Sequence, residues 1–197
     1  MHDPSSNPSL RVAAEADDAS VIANSCRDPE WFSVIFDRYF TAIHRYAAAR
    51  LGPAAADDVA AETFLAGFDQ RGRYDLTRPE AKAWLYGIAT NLIGRHRRNE
   101  LRLYRALSRS AARDDVESHA DRVTDRVTAE QLSPRLALGL KSLSPGDRDA
   151  LMLVACAGLS YAEVAFALGV PIGTVSSRLN RARAKLRTML GHPAKEV

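Results

Sequence analysis

The sequence has little of several features that would mark other classes of protein. It contains two cysteines, Cys26 and Cys156, which lie far apart and lack the paired spacing of a zinc site. Its longest apolar run, residues 150–159, is about half as long as a membrane-spanning helix. The N-terminus lacks the charged and then apolar segments of a secretory signal peptide. We therefore expect a cytoplasmic protein that does not insert into membranes.

Sequence patterns of catalysis are missing as well. The chain has no glycine-rich phosphate-binding loop, no carboxylates at metal-ligand spacing and no nucleophile beside a histidine. Glu62, Asp75 and Asp147 fall on separate predicted elements, so the pattern predicts no acid–base pair. The sequence therefore predicts a protein that is not an enzyme and that needs neither a metal nor another cofactor.

The charge of the chain is modest in total but unevenly distributed. The 197 residues carry a formal net charge of +3 and are 46% hydrophobic, which suits one large or two small globular domains. Residues 1–30 hold six acids against two arginines, whereas residues 95–113 hold seven arginines against Glu100 alone. Such segregation predicts contact with a polyanion at particular surfaces of the molecule.

Apolar residues recur at three- and four-residue spacing along most of the chain, and no segment shows the alternation of a β-strand. This pattern predicts an all-α fold of two small helical domains joined by a flexible linker, with a helix-turn-helix in the C-terminal domain. The predicted divisions are a disordered acidic tail over 1–28, a first domain over 29–108, a linker over 109–135, a second domain over 136–190 and a tail over 191–197.

Residues 160–187, SYAEVAFALGVPIGTVSSRLNRARAKLR, have the layout of a DNA-binding helix-turn-helix. Ser160 and Glu163 form a capping box that predicts the start of a helix, and Gly169 is expected to end it. Pro171 suits the first turn of the second helix, whose apolar residues fall on one side. The twenty residues that start at Pro171 contain five basic residues and no acid, so the other side is expected to lie against phosphate.

Two stretches of the chain together resemble the bacterial RNA polymerase sigma factors of the sigma-70 family, extracytoplasmic-function (ECF) group. DDVAAETFLAGF, the loop after it and RPEAKAWLYGIATNLIGRHRRN resemble sigma region 2. LSPGDRDALMLVACAGLSYAEVAFALGVPIGTVSSRLNRARAKLR resembles sigma region 4. The resemblance implies a sigma factor that binds core RNA polymerase, directs it to −35/−10 promoters and helps melt the −10 region to initiate transcription.

The resemblance also implies the partners. These are the clamp helices and flap of the large polymerase subunits, promoter DNA and an anti-sigma protein. In the family, the second helix of the first domain docks on the polymerase clamp. The matching residues in this chain are Asp57, Asp58, Val59, Glu62, Thr63 and Phe64. Residue chemistry alone leaves a second explanation open, because acids in a first helical turn also suit the helix dipole.

The resemblance assigns the −10 element to the loop and the third helix of the first domain. Opening DNA requires a surface on which an unstacked base can lie, together with cations for the backbone. Tyr86 lies off the apolar stripe of its predicted helix and is expected to stack on a base, whereas Asn91 is expected to read a base edge. The full predicted set is Arg73, Tyr74, Asp75, Lys82, Tyr86, Asn91, Arg95, Arg97 and Arg98.

The second helix of the helix-turn-helix is expected to enter the major groove at the −35 element. The N-terminal half of such a helix faces base edges, and an arginine there can bind guanine through two hydrogen bonds. The predicted set is Thr174, Ser176, Ser177, Arg178, Asn180, Arg181, Arg183 and Lys185.

The leading alternative is a free-standing helix-turn-helix transcriptional regulator that binds duplex DNA, as a dimer, without polymerase. The segment WLYGIATN and the basic helix in the first domain argue against it, because an effector domain has no need of them. An enzyme acting on nucleic acid is disfavoured by the missing catalytic patterns.

Overall fold

The computed structural model describes residues 15–111 and 134–190, and the regular structure there is entirely helical. The α-helices of these two segments are α1 (Asp18–Ser25), α2 (Phe32–Leu51), α3 (Pro53–Gln70), α4 (Lys82–Ala111), α5 (Pro134–Ser142), α6 (Pro145–Ala155), α7 (Tyr161–Leu168) and α8 (Ile172–Leu190). Single turns of 3₁₀ helix lie at Pro29–Trp31 and Arg71–Arg73. The prediction of an all-α fold is confirmed for this part of the chain.

Helices α1–α4 form the first lobe, and its core lies between α2, α3 and α4. Gly52 joins α2 to α3 with a φ of 84°, a conformation that favours glycine, and Pro53 then opens α3. The apolar stripes of these helices face one another, so that side chains such as Ile43 and Leu85 are fully buried. Burial of each such side chain contributes about 1.5–3 kcal/mol. The periodicity of the sequence therefore accounts for the packing of this lobe.

Helix α1 lies in the segment for which the sequence predicts a disordered tail. Its side chains Val21 and Ile22 are fully buried in the first lobe. Asp18, at the start of α1, accepts hydrogen bonds from three donors of that lobe: Arg38 at 2.6 Å, Tyr39 at 2.5 Å and the backbone N–H of Ala81 at 2.7 Å. The prediction of disorder is wrong for this helix, because one of the acids is a buried acceptor rather than a solvated charge.

Helices α5–α8 form the second lobe, and its turns follow the sequence closely. The backbone N–H of Ser160 donates to the carboxylate of Glu163 at 2.7 Å, and the N–H of Glu163 donates to the Ser160 hydroxyl at 3.3 Å. Gly169 ends α7 in the left-handed conformation, with a φ of 61°. The predicted capping box and helix end are both confirmed.

The two lobes touch through α4 of the first lobe and α7 of the second. Gly87 on α4 lies so close to α7 that a Cβ atom there would meet the carbonyl oxygen of Ala167 at 2.7 Å. Arg50 at the end of α2 forms an ion pair with Asp149 on α6. Buried apolar residues of both lobes belong to one continuous cluster.

Helices extend into both ends of the predicted linker over residues 109–135. Helix α4 continues to Ala111, and α5 begins at Pro134. The rest of the predicted linker, with most of the predicted N-terminal tail and the predicted tail over 191–197, lies outside the described residues.

Candidate nucleic-acid interface

Helix α8 presents one face to the core of the second lobe and the other to solvent. Val175, Leu179 and Ala182 recur at the spacing of one helix face and are buried. The turn at Gly169 and the packing of α8 on α5, α6 and α7 set its direction. All eight residues predicted to contact the −35 element lie on α8. Those exposed are Ser177, Asn180, Arg181, Arg183 and Lys185; those partly buried are Thr174, Ser176 and Arg178.

Several of these side chains donate hydrogen bonds within the lobe. The pairs are Ser176 to the carbonyl of Ile172, Ser177 to the carbonyl of Gly173, Arg183 to the hydroxyl of Tyr161, and Lys185 to the carbonyl of Ser142. The exposed amide of Asn180 stands between the cationic groups along the helix. This mixture suits a surface that meets base edges flanked by phosphates.

Arg181 is held in place by Asp147 of α6. Its Nη2 atom donates to Oδ1 of Asp147 at 2.8 Å, while the arginine side chain remains 61% exposed. Burial alone would raise the pKa of Asp147, but hydrogen bonds from Arg181 and Ser144 outweigh burial and the pKa lies below its ordinary value. An ionised Asp147 therefore orients Arg181 before any DNA is present.

The loop before α4 exposes only some of its predicted −10 residues. Arg73 and Asp75 are exposed, whereas Tyr74 is buried. The ring of Tyr74 lies 5.0 Å from that of Trp84, and its hydroxyl donates to the carbonyl of Arg78 at 2.8 Å. Burial raises the pKa of Tyr74 to about 12. Tyr74 is therefore a neutral side chain that supports the loop from inside.

Tyr86 is buried, although the sequence places it off the apolar stripe of its helix. The residue is 2% exposed and meets Tyr46 edge-on, with 5.1 Å between the ring centroids. The reason is that α4 packs against α2 and α3 on one side and against α7 on another. A helix covered on two sides has a wider buried face than a single apolar stripe indicates. The interpretation of Tyr86 as an exposed stacking surface is corrected for this conformation.

Three arginines of the predicted −10 set lie in the basic half of α4, and their surroundings differ. Arg95 forms an ion pair with Glu62 of α3, and both side chains are exposed. Arg97 donates to the backbone carbonyl of Arg50 at 2.5 Å. Burial, followed by the charges of neighbouring arginines, lowers the pKa of Arg97 to about 10, so it remains a cation at neutral pH. Arg98 is exposed.

A cavity of about 510 Å³ lies between the lobes. It brings residues of the predicted −10 and −35 sets to opposite walls of one space. Its polar walls include Asn91, Arg95 and Arg98 from the first lobe and Asp149 and Arg178 from the second. Lys82, at the start of α4, is half-buried. The structure thus places much of the predicted −10 set at or near the boundary between the lobes.

The six residues predicted to contact polymerase divide into two groups on α3. Asp57, Asp58 and Glu62 are exposed, and Asp57 lies 2.9 Å from Nε2 of His44. The other three face the core of the first lobe and are Val59, Thr63 and Phe64. Their burial corrects the expectation that they contact a partner directly, because the inward stripe of α3 already uses them for packing.

Two exposed apolar side chains beside these acids were missed from the sequence. Leu65 on α3 is 62% exposed, and Phe36 on α2 is 40% exposed while its ring stacks on Phe40 at 4.7 Å. The helical period would have identified Leu65, because it falls outside the inward stripe that contains Phe64. Phe36 carried no such signal, since it belongs to an apolar stripe that extends beyond the core.

Two absences hold for the described segments, residues 15–111 and 134–190. None of their helices is long and apolar enough to cross a membrane. Within the same residues, no group of histidine, cysteine and acidic side chains has the arrangement of a metal site.

Comparison with family models identifies both lobes. Residues 35–103 match the model for sigma-70 region 2, and residues 134–186 match the model for sigma-70 region 4. The chain is 33% identical over 147 residues to the ECF RNA polymerase sigma factor SigC of Mycobacterium tuberculosis, which covers 73% of this chain and 75% of that protein. It is 29% identical over 170 residues to the ECF sigma factor SigW of Bacillus subtilis, covering 83% and 90%.

Solved structures show the same fold. CnrH in complex with the cytosolic domain of CnrY is 26% identical, with a TM-score of 0.63 over 90% of this chain and 99% of that chain. The sigma factor RpoE in complex with the anti-sigma factor NepR from Bartonella quintana is 24% identical, with a TM-score of 0.60 over 83% and 98%.

Proposed function

The chain belongs to the ECF group of sigma-70 RNA polymerase sigma factors, and from that premise we propose how its residues divide the work of initiation. A sigma factor binds core RNA polymerase and directs it to promoter DNA, and we assign the chemistry of RNA synthesis to the polymerase alone. The single observation that carries this function is the presence of both sigma regions, in family order, on one chain.

The outer face of α8 is proposed to bind the −35 element as duplex. Arg181, oriented by Asp147, is the first candidate to bind guanine through two hydrogen bonds. Asn180 is exposed beside it and suits a second base edge. Arg183 and Lys185 lie further along the helix, where contacts to phosphate are the better match.

The loop after α3 and the basic helix α4 are proposed to bind the −10 strand. Asn91 is exposed and carries an amide that can read a base edge. The exposed cations Arg73, Arg95 and Arg98 suit the phosphates of an unpaired strand. Tyr86 can stack on a base only in a conformation in which its ring is uncovered, since the residue is 2% exposed in this structure.

The exposed edge of α3 is proposed to dock on the polymerase clamp. Asp57, Asp58 and Glu62 supply negative charge, and Leu65 adds an exposed apolar side chain on the same helix. Charged residues around an apolar contact suit a partner surface that carries arginines. The second lobe is proposed to meet the polymerase flap.

An anti-sigma protein is the proposed regulator. CnrH and RpoE were solved with the cytosolic domain of CnrY and with NepR, respectively. An analogous partner of this chain would cover the surfaces that face polymerase and DNA.

The experiment that tests the function is run-off transcription with core polymerase, the purified chain and a library of genomic fragments. We expect specific start sites that depend on the chain. A free-standing regulator would instead bind duplex fragments as a dimer without polymerase and would start no transcripts. Failure of the chain to bind core polymerase would contradict the proposal outright.

Arg181→Ala tests the division between the lobes. Loss of a bidentate arginine–guanine contact is worth about 1–3 kcal/mol, so promoter binding by the holoenzyme is expected to weaken by roughly 5- to 150-fold. Arg187→Ala, an exposed arginine near the end of the same helix, is the matched control and should weaken binding to all sequences alike. Binding of core polymerase should be unchanged in both variants, and its loss in Arg181→Ala would refute the division.

A further inference from the structure

Helix α1 is hydrogen-bonded to both ends of the loop between α3 and α4, residues 71–81, which we call the −10 loop. At the C-terminal end of α1, the backbone carbonyl of Ser25 accepts from Nε of Arg71 at 3.2 Å. At the N-terminal end, the backbone N–H of Asp18 donates to the carbonyl of Pro79 at 3.1 Å. The Asp18 carboxylate accepts from the backbone N–H of Ala81 at 2.7 Å. One short helix therefore joins the first and the last residue of the loop.

Helix α1 is itself fixed to the rest of the first lobe. Val21 and Ile22 are fully buried, and Asp18 is 4% exposed. The Asp18 carboxylate also accepts hydrogen bonds from Arg38 and Tyr39 of α2. A buried carboxylate is costly to leave without its donors, so these bonds favour a single position for the start of α1. Through this one side chain, α2 is linked to the end of the −10 loop.

Arg71 holds the other end of the loop. Besides its bond to Ser25, its Nη1 atom donates to the carbonyl of Phe68 at 2.5 Å. Its guanidinium lies 3.6 Å from the centroid of the Phe68 ring. The side chain therefore joins the end of α3 to the end of α1, and its donors are used within the lobe rather than on a surface that meets DNA.

The middle of the loop is closed by short-range bonds. The N–H of Thr77 donates to the carboxylate of Asp75 at 3.1 Å, and the N–H of Arg78 donates to the Asp75 carbonyl at 3.0 Å. Eleven residues can extend to roughly 36 Å, whereas a helix of eight residues spans about 12 Å. Bonds from one short, rigid helix to both ends therefore exclude most of the conformations that such a loop could adopt.

We propose that α1 braces the −10 loop, and that Asp18 and Arg71 are positioning residues for the −10 strand that do not touch DNA themselves. The brace holds the loop in the conformation that exposes Arg73 and Asp75, so little affinity is lost in ordering the loop when the strand binds. This inference rests on the proposed function, because it requires the loop to bind the −10 strand.

Two variants release the loop at opposite ends. Asp18→Ala removes the acceptor of the Ala81 N–H, and Arg71→Lys keeps the positive charge but loses the planar guanidinium that bonds Ser25 and Phe68 together. Tyr39→Phe is the matched control, since it removes a donor to the same Asp18 carboxylate and leaves both loop ends bonded. Circular dichroism and urea unfolding check that all three variants are folded and measure their stability.

The first readout is amide hydrogen exchange in the full chain, followed by NMR. The amides of Thr77 and Arg78 report on the loop, because neither is bonded to a substituted side chain. We expect them to exchange roughly tenfold faster in Asp18→Ala and Arg71→Lys and at the wild-type rate in Tyr39→Phe. Amides of α8 should exchange alike in all forms. Wild-type rates at Thr77 and Arg78 in both loop variants would overturn the brace.

The second readout is binding by the holoenzyme of a fluorescein-labelled single strand, measured by anisotropy. The strand carries the −10 sequence of a promoter found by run-off transcription, and a strand of the same bases in scrambled order is compared with it. If the released loop keeps its binding conformation for about a tenth of the time, Asp18→Ala and Arg71→Lys should bind the −10 strand about tenfold more weakly. The scrambled strand, held through its phosphates, should be bound as by the wild type.

The ratio of these two affinities separates positioning from a structural role. A helix that only stabilises the lobe would change the free energy of unfolding and leave the ratio unchanged. Asp18→Ala also removes a negative charge, which by itself favours DNA, so weaker binding cannot be attributed to charge. Faster loop exchange with an unchanged ratio would overturn the positioning role. A wild-type holoenzyme that binds both strands equally would refute the −10 role of the loop, whereas the exchange rates would still decide the brace.

Discussion

At the scale of single residues, the burial of Tyr86 means that its substitution is expected to affect stability and not only DNA binding. Its ring packs edge-on against Tyr46 of α2, and the residue is 2% exposed. Tyr86→Ala is therefore expected to lower the free energy of unfolding by about 3–5 kcal/mol, as for other buried aromatic truncations. Tyr86→Phe keeps the ring and should stay close to the wild type. Urea unfolding of the two variants provides the measurement.

The same pair of variants separates packing from base recognition. If transcription fails with Tyr86→Ala and persists with Tyr86→Phe, the measured loss of unfolding free energy decides whether the alanine variant has lost base recognition or has unfolded. A loss below about 1 kcal/mol in Tyr86→Ala would contradict the burial of the ring in solution.

At the scale of elements, the start of α7 depends on two side chains that close its first turn. Ser160 and Glu163 exchange hydrogen bonds with each other's backbone N–H groups. Ser160→Ala removes the acceptor of the Glu163 N–H and is expected to lower the free energy of unfolding by about 1 kcal/mol. Thr188→Ala, near the exposed end of α8, is the control and should change it by less than about 0.5 kcal/mol. Equal effects in the two variants would contradict the role of the cap.

The cap also predicts a dependence on pH. Hydrogen bonds from Ser160 lower the pKa of Glu163 below 4.5, and burial only partly opposes them. Because the folded pKa is the lower one, the stabilisation is complete above pH 4.5 and is lost as the pH falls through the folded value. The difference in unfolding free energy between the wild type and Glu163→Gln should therefore shrink on acidification below pH 4.5. A difference that stays constant from neutral to acidic pH would contradict the prediction.

At the scale of the whole molecule, the ion pair between Arg50 and Asp149 ties the lobes together. Arg50 is 4% exposed and Asp149 is 23% exposed, so removing the acid leaves a buried cation without its counter-charge. Breaking such a pair costs about 3–5 kcal/mol when both partners are buried, and the partial exposure of Asp149 reduces this to roughly 1–3 kcal/mol. Asp149→Asn is expected to show this loss in calorimetry.

The number of steps in the thermal unfolding transition tests whether this ion pair couples the two lobes. We expect the wild type to unfold in one transition and Asp149→Asn to show earlier melting of one lobe, because the lobes share a single apolar cluster. Asp69→Asn, at an exposed position on α3, is the control and should leave the profile unchanged. Identical profiles for the two variants would show that the pair does not couple the lobes.

The sequence predicts the ends of α7 correctly, but it does not predict which residues of α4 are buried. The cap at Ser160, the end at Gly169 and the buried stripe of α8 were all predicted, because each depends on residues within a few positions of one another. The burial of Tyr86 was not predicted, because its ring packs against Tyr46 on another helix and α4 lies against both α2 and α7, which are distant in the sequence. The buried state of Asp18 depends likewise on donors from α2 and from Ala81, the residue before α4.

The assigned interface residues divide in the same way. On α8, Asn180 and Arg181 are exposed as predicted, whereas on α3 the predicted partner contacts Thr63 and Phe64 are buried. Motif resemblance identifies the helix that carries a function, but not which of its sides is free. Their roles in binding DNA and polymerase remain predictions for the experiments above.

The sequence by itself determined the all-α class, the ends of α7 and the buried stripe of α8, because helical period and capping are local properties of the chain. Only the tertiary structure decided which side of α4 lies against the second lobe, since that depends on the fit of Ala167 against Gly87 and on the ion pair of Arg50 with Asp149. No periodicity within α4 encodes the helix that will lie against its second side. The contact between the lobes is for this reason a property of the folded chain alone.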